Sequence, residues 1–411
     1  MVYLDYNATT PLDPEVVEVI TETLKTAWGN PSSSHEAGVK AKNVIATARQ
    51  QVARMVGAKP SDIIFTSGGT EANNWILQSA LQHFNRGSRK IGLSMGDWDD
   101  VKSQRLKPHF ITSNIEHDSI KLVLEYFQSV GLADVTFVQA RPATGCVHAQ
   151  DIIDAVGPST IMVTVMLANN ETGVIQPVSE ICQRVRALKR QKGETERILL
   201  HTDAAQALGK IPVDIYELGV DYLTIVGHKF YGPRIGAVFA HNPGDDAPLY
   251  PLLFGGGQER NFRPGTENTP MIAGLGKAAE LVSTNIDQYQ AHMAVVRDYL
   301  EKSLQQTFPD SVSINGKSAH SQRLPNTCNV SILGSPLKGH EILSRVPSVQ
   351  ASVGAACHTA DRPSHILLSL GIPETVAWRA LRISVGRETT KEDIDVAVQD
   401  LKSVLDASDH S

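Results

Sequence analysis

Lys229 lies in the segment "TIVGHKFYG", where a short apolar run leads into a His-Lys pair between glycines. A lone lysine in such a place is ordinarily a solvated surface charge. The rest of the pattern argues for chemistry. "HTDAAQ" supplies Asp203 and Gln206, "NIEHDS" supplies His117, "ANNETG" supplies Asn169 and Asn170, and "TSGGTEANN" supplies Gly69 and Thr70. Each follows a predicted strand, and each alone has a structural reading. Asp203 could cap the helix after it. His117 could be a partly buried hydrogen-bonding ring, and Gly-Gly-Thr a plain strand-to-helix turn. Together they offer an amine, a carboxylate, an aromatic ring and a helix start that can receive an anion.

This set suits pyridoxal phosphate. That cofactor needs a lysine for its Schiff base and an acidic or cationic partner for the pyridine nitrogen. Asp203 on the nitrogen would strengthen the electron sink, and His117 can stack on the ring. Gln206 can reach the phenolic oxygen, and the Gly69-Thr70 turn can hold phosphate. Neither GxGxxG nor GxxxxGK[ST] occurs at this turn, which disfavours a dinucleotide or ATP enzyme.

These residues need a scaffold that gathers strand ends. Runs such as "DIIFTS" (62–67), "DVTFVQA" and the apolar part of "DIIDAVGPSTIMVTVMLANNETG" read as strands. "PEVVEVITETLKTAW" (14–28) and "AGVKAKNVIATARQQVARMVG" read as helices, the second with capping-box spacing from Ser33 to Glu36. Alternating strands and helices predict a largely parallel sheet covered on both faces. Ligands in such folds bind beyond the carboxyl ends of the strands. Residues 85–107 lack periodicity and read as an exposed loop or insert. Residues 269–304 read as a long helical connection into a smaller α/β unit that ends in a strand, a capped turn and a helix.

The bulk numbers set limits. A chain of 411 residues suggests two or three domains. A formal charge of −6 gives no reason to expect nucleic-acid binding, and the short "KRQKG" (189–193) is read as a solvated helix end or loop. Cys146, Cys182, Cys328 and Cys357 show no CxxC spacing, so no zinc site or disulfide framework is expected. Reduced thiols fit a cytosolic compartment. No signal or transit segment is read at the N-terminus, and no apolar run is long enough for a membrane span.

The order of "YLDYNATTP", "TSGGTEANN", "HTDAAQALGK", "GHKFYGPRIGA", "GGGQERNFRPGT", "VGAAC" and "LRISVGRETT" resembles the cysteine desulfurase and selenocysteine lyase family over nearly the whole chain. The resemblance implies an aspartate-aminotransferase-like α/β fold (fold type I of the pyridoxal-phosphate enzymes). It places a large cofactor domain at 15–265 and a smaller domain at 1–14 and 266–411. It makes Lys229 the Schiff-base lysine, with His117 over the ring, Asp203 on its nitrogen, Gln206 on the phenolic oxygen and Asn170 beside cofactor and substrate. Gly69, Thr70 and His228 would hold the phosphate, and Thr266 would reach it from the partner subunit of a homodimer. Arg382 would clamp the substrate carboxylate. Cys357 would stand on a catalytic loop, acting either as a thiolate nucleophile or as a proton donor.

The chain departs from the common desulfurase pattern in three places. Val226 stands where many members carry a phosphate-binding serine. The cysteine loop reads "SVGAACHT" rather than a serine-rich form, and the insert near 87–107 is longer. These departures lean toward decomposition of L-selenocysteine to L-alanine, with selenium passed to a reductant or an accepting protein. Cysteine desulfuration through a persulfide is the alternative. A noncatalytic scaffold, an aminotransferase and a metal site around Cys357, His358 and His365 are disfavoured.

Overall fold

The structure is a computed structural model that describes residues 1–90, 107–189, 195, 197–354 and 362–408. Its strands in chain order are β1 (Val2–Tyr3), β2 (Ile63–Thr66), β3 (His109–Ser113), β4 (Asp134–Val138), β5 (Thr160–Thr164), β6 (Leu199–Asp203), β7 (Tyr222–Val226), β8 (Gly236–Ala240), β9 (Val312–Asn315), β10 (Thr327–Ile332), β11 (Val349–Gln350) and β12 (Ala380–Ser384). Seven of them form the central sheet in the order β2-β8-β7-β6-β5-β3-β4. Only β8 runs against the others. The expected mainly parallel α/β sheet is therefore present.

Every residue of β5, β6, β7 and β8 is buried, as a sheet covered on both faces requires. One hydrophobic cluster joins the sheet to helices Pro14–Thr26 and Glu36–Met55 and to the first part of helix Thr269–Thr307. A second cluster, with Trp75, Phe110 and Leu124, covers the opposite face under helices Gly69–Lys90 and Asp118–Ser129. A third surrounds the antiparallel sheet β12-β10-β9. Helix Thr269–Thr307 has 39 residues, about 60 Å of helix. Ile272, Leu275 and Ala279 enter the first cluster, while Met293, Leu300 and Leu304 enter the third. Gly276 lets this helix lie close to its neighbour: a Cβ there would sit 2.6 Å from the Ala48 Cα.

Local expectations need two adjustments. The second helix is capped by His35, not Ser33; its ring accepts from the Gly38 amide. Asn30 organises a turn that accepts from the Ser32 and Ser33 amides, so Ser33 sits inside that turn. Residues 85–90 continue helix Gly69–Lys90 rather than opening a loop. The rest of the expected insert, 91–106, lies outside the described residues, as does most of "KRQKG". At the end of the chain, Thr390 and Asp393 exchange backbone and side-chain bonds across the start of helix Lys391–Ser408. This is the predicted capped turn.

Candidate active site

The carboxyl ends of β2, β3, β5, β6 and β7 converge on one cavity of about 270 Å³. Gly69, Thr70, His117, Asn170, Asp203, Gln206, His228, Lys229 and Arg382 all line it. Nine expected residues from distant parts of the sequence are thus brought together. One is not: Thr266 is exposed and borders a separate depression with Trp28 and Pro31. Cys357 lies outside the described residues.

Lys229 ends a 3-10 turn, Gly227–Lys229, directly after β7. Its Nζ donates to the carbonyls of Asn7 and Ala8, at 2.8 Å each. Asn7 is completely buried. Its amide donates to Ser384 Oγ at 2.9 Å, and its Nδ2 donates to Thr327 Oγ1 at 2.9 Å. Its Oδ1 accepts from Asn326 at 2.9 Å. The same N-terminal stretch holds the neighbouring turn. Thr10 N donates to the His228 carbonyl at 3.0 Å, and Thr9 Oγ1 meets His228 Nδ1 at 3.1 Å. Burial, with the charge of Lys229 beside it, pulls the His228 ring down to about 4, so it is neutral at neutral pH.

Asp203 closes β6. Its carboxylate accepts from Asn73 Nδ2 at 2.8 Å and from the Ala205 amide at 2.9 Å. Asn73 is itself fixed, donating to Ser119 Oγ and accepting from Thr224 Oγ1 at 2.6 Å. His117 is the N-cap of helix Asp118–Ser129. Its Nδ1 accepts from the Ser119 amide at 3.1 Å and meets Ser119 Oγ at 2.8 Å. An acceptor Nδ1 assigns the proton of the neutral ring to Nε2. Beside it, Glu116 is fully buried; Oε1 accepts from Ser113 Oγ and the Met166 amide, while Oε2 has no partner. Burial pushes this carboxyl up to about 8, so it is largely protonated at neutral pH.

Arg382, from β12, is 1% exposed. It pairs with Asp5 at 2.9 Å and donates to the Asn170 carbonyl at 3.1 Å. Its Nε and the Asn170 Oδ1 are buried without a partner. Unpaired buried polar atoms are costly, and two of them bordering one cavity mark where a polar ligand belongs. Gly69 opens helix Gly69–Lys90, and a Cβ there would lie 2.6 Å from Val226 Cγ2. The helix start therefore packs this close to β7 only because residue 69 has no side chain, with its amides at the cavity as a place for an anion. The volume is near the lower end of small-molecule pockets, about 300 Å³ upward. An amine, a carboxylate, a helix start and an imidazole lining one cavity fit pyridoxal phosphate.

Sequence reasoning missed Asn7, Ala8, Asn73, Ser119 and Asp5. All five lie within quoted motifs, Asp5, Asn7 and Ala8 in "YLDYNATTP", Asn73 in "TSGGTEANN" and Ser119 in "NIEHDS", but none was singled out. Cys182 and Cys328 are buried, which pushes both thiols up to about 12 and leaves them unreactive. Among the described residues no cluster of metal ligands occurs and no helix is long and apolar enough to cross a membrane.

Residues 2–396 match the family of class-V aminotransferases. The chain is 56% identical over 408 residues to a selenocysteine lyase of Bos taurus, covering 98% of this chain and 93% of that protein. It is 36% identical to a cysteine desulfurase IscS of Clostridium botulinum (strain Hall), covering 98% and 94%. A solved NifS-like protein superposes with a TM-score of 0.84 at 30% identity, over 99% of each chain.

Proposed function

The chain belongs to the class-V aminotransferase family, and from that premise we propose that it cleaves the Cβ–Se bond of L-selenocysteine, leaving L-alanine and releasing selenium, with pyridoxal phosphate as cofactor. The observation that carries this reading is the meeting of the Lys229 amine, the Asp203 carboxylate and the Arg382 guanidinium on one small cavity. The 56% identity to a selenocysteine lyase, against 36% to a desulfurase, supports selenium over sulfur.

When bound, the cofactor supplies an electron sink for the pair left at the substrate's Cα as its proton departs. The chain does the rest. Asp203, held from two sides, takes the ring nitrogen and keeps it protonated. Gly69, Thr70 and neutral His228 take the phosphate. Arg382 receives the substrate carboxylate, pre-aimed by Asp5 and the Asn170 carbonyl, and so orients the Cβ substituent. Lys229, released from the carbonyls of Asn7 and Ala8, carries the proton from Cα. His117, its Nδ1 engaged by Ser119, would help hold the cofactor ring and keep Nε2–H as its remaining donor. Cys357 meets the departing selenium, as nucleophile or as proton source.

The reading includes a homodimer in which Thr266 completes the phosphate site of the other subunit. Thr266 is remote from its own cavity and exposed, and Phe254, on the same segment, is 89% exposed. The segment between them is built stiffly. Glu259, Arg260 and Asn261 take left-handed φ of 49°, 57° and 67°, which non-glycine residues adopt at a cost of about 1–2 kcal/mol each. The buried Arg49–Glu259 pair and the bond from the Phe65 amide to Glu259 hold that conformation. A cytosolic location belongs to the same reading.

Alanine release from L-selenocysteine and from L-cysteine, measured side by side under anaerobic reducing conditions, tests the proposal. Fast turnover of selenocysteine with little from cysteine is expected. Equal turnover of both would replace it with a desulfurase, and no turnover of either would refute it.

A further inference from the structure

Lys210 is a buried amine that the mechanism above does not use. It ends the "HTDAAQALGK" stretch and is 3% exposed. Its Nζ donates to the Gln206 carbonyl at 3.0 Å and to Gln206 Oε1 at 3.1 Å. Gln206 Nε2 in turn donates to the Asn7 carbonyl at 3.0 Å, the oxygen that also receives Lys229 Nζ. Gln206 lines the cavity; Lys210 stands behind it.

The chemistry of this chain of bonds fixes which end of the Gln206 amide is which. Lys210 Nζ donates to the amide oxygen, and in its protonated form it has no lone pair with which to accept an amide N–H. The Asn7 carbonyl only accepts, so it demands the amide nitrogen. A flipped amide would set oxygen against oxygen at Asn7 and forfeit the bond that Lys210 donates to Oε1. Nε2 has two N–H groups, and the Asn7 carbonyl takes one. The other is left as the donor that Gln206 can offer a ligand.

We infer that Lys210 is a positioning residue: it locks the Gln206 amide so that an N–H, not an oxygen, faces the phenolic oxygen of the bound cofactor. The inference rests on the cofactor reading above and deepens it. Burial, reinforced by the charges of Lys229, Arg382 and Arg387, holds the Lys210 amine well below its usual range. The lock acts through hydrogen-bond direction. An N–H at the phenolic oxygen favours the oxygen's deprotonated form. Removing it should raise the pH at which the cofactor's visible band titrates.

The test is a pH titration of that band in four cofactor-loaded proteins: wild type, Lys210→Met, Gln206→Ala and the double variant. Methionine keeps the shape and removes the donor. Lys210→Met should raise the apparent pKa by about one unit, the worth of one oriented hydrogen bond. It should do so much less in the Gln206→Ala background, because no amide remains to orient. An unchanged band, or equal shifts in both backgrounds, overturns the inference. If Lys210→Met does not fold, Lys210→Gln, one atom shorter and uncharged, is read in the same cycle, with a smaller shift of the same sign expected. Absence of a band in wild type would instead sink the cofactor reading. A merely structural lysine would lower the melting temperature of the cofactor-free protein and leave the titration alone.

Discussion

Replacing Glu116 by Gln should make the protein more stable at alkaline pH and no better, or slightly worse, in mild acid. The wild-type carboxyl is fully buried, with its pKa raised from 4.5 to about 8. A carboxyl whose folded pKa is raised gives up stability as pH climbs from the unfolded value through the folded one. The folded state must either retain a proton that the unfolded chain has released or carry a buried charge. At 1.36 kcal/mol per unit, the full span is worth roughly 5 kcal/mol, of which about 3 kcal/mol falls between pH 5.5 and 8.5. Glutamine removes the titration. Its oxygen can keep the bonds from Ser113 Oγ and the Met166 amide, at 2.6 and 3.0 Å. Its NH₂ then takes the place of Oε2, which has no partner, at a cost of about 1–3 kcal/mol at every pH. The assay is thermal unfolding of the cofactor-free protein at pH 5.5, 7 and 8.5. The variant's melting temperature should gain about 3–4 °C on wild type across that range. Parallel curves for the two proteins would show that Glu116 does not titrate as its burial dictates.

Two further perturbations test the ligand-binding ends of the cavity. Arg382→Ala should lower kcat/KM for selenocysteine by about 100-fold or more, since a charge-assisted bidentate partner is lost. Asp5→Asn, which leaves Arg382 in place but loosens its aim, should cost about 10-fold, mostly in KM; an unchanged KM would show that Asp5 does not orient Arg382. Gly69→Ala should weaken cofactor binding, measured by equilibrium dialysis, because its Cβ would meet Val226 Cγ2 at 2.6 Å. Adding Val226→Ala should restore most of that loss; no restoration would mean the cradle fails for another reason.

The strand-end residues were legible because a parallel sheet collects its ligands at one edge, and apolar runs mark where each strand stops. Asp203, His117 and Lys229 follow such runs directly. Asn7 was not legible by that logic. It follows a two-residue strand, and its partners stand 163 to 377 positions away. Asn73 looked like an ordinary helix residue, yet it is the clamp on Asp203. Glu116 and Lys210 were hidden for a common reason: a charged residue type gives no sequence signal for burial, and burial is what alters its chemistry. The cap moved from Ser33 to His35 because the Asn30 turn occupies the serine, a local competition that spacing alone does not reveal.

The Asn7 network also constrains the order in which a nascent chain can mature. Asn7 is synthesised well before its partner Ser384, the two standing 377 positions apart. At 5–20 residues per second, roughly 20–80 s separate the synthesis of the two partners. During that interval the Asn7 and Ala8 carbonyls, which receive the Lys229 amine, have no anchor in β10 or β12. The larger sheet can assemble early, from strands that all precede residue 241. Cofactor capture then becomes a late event, timed by the C-terminal strand rather than by the lysine.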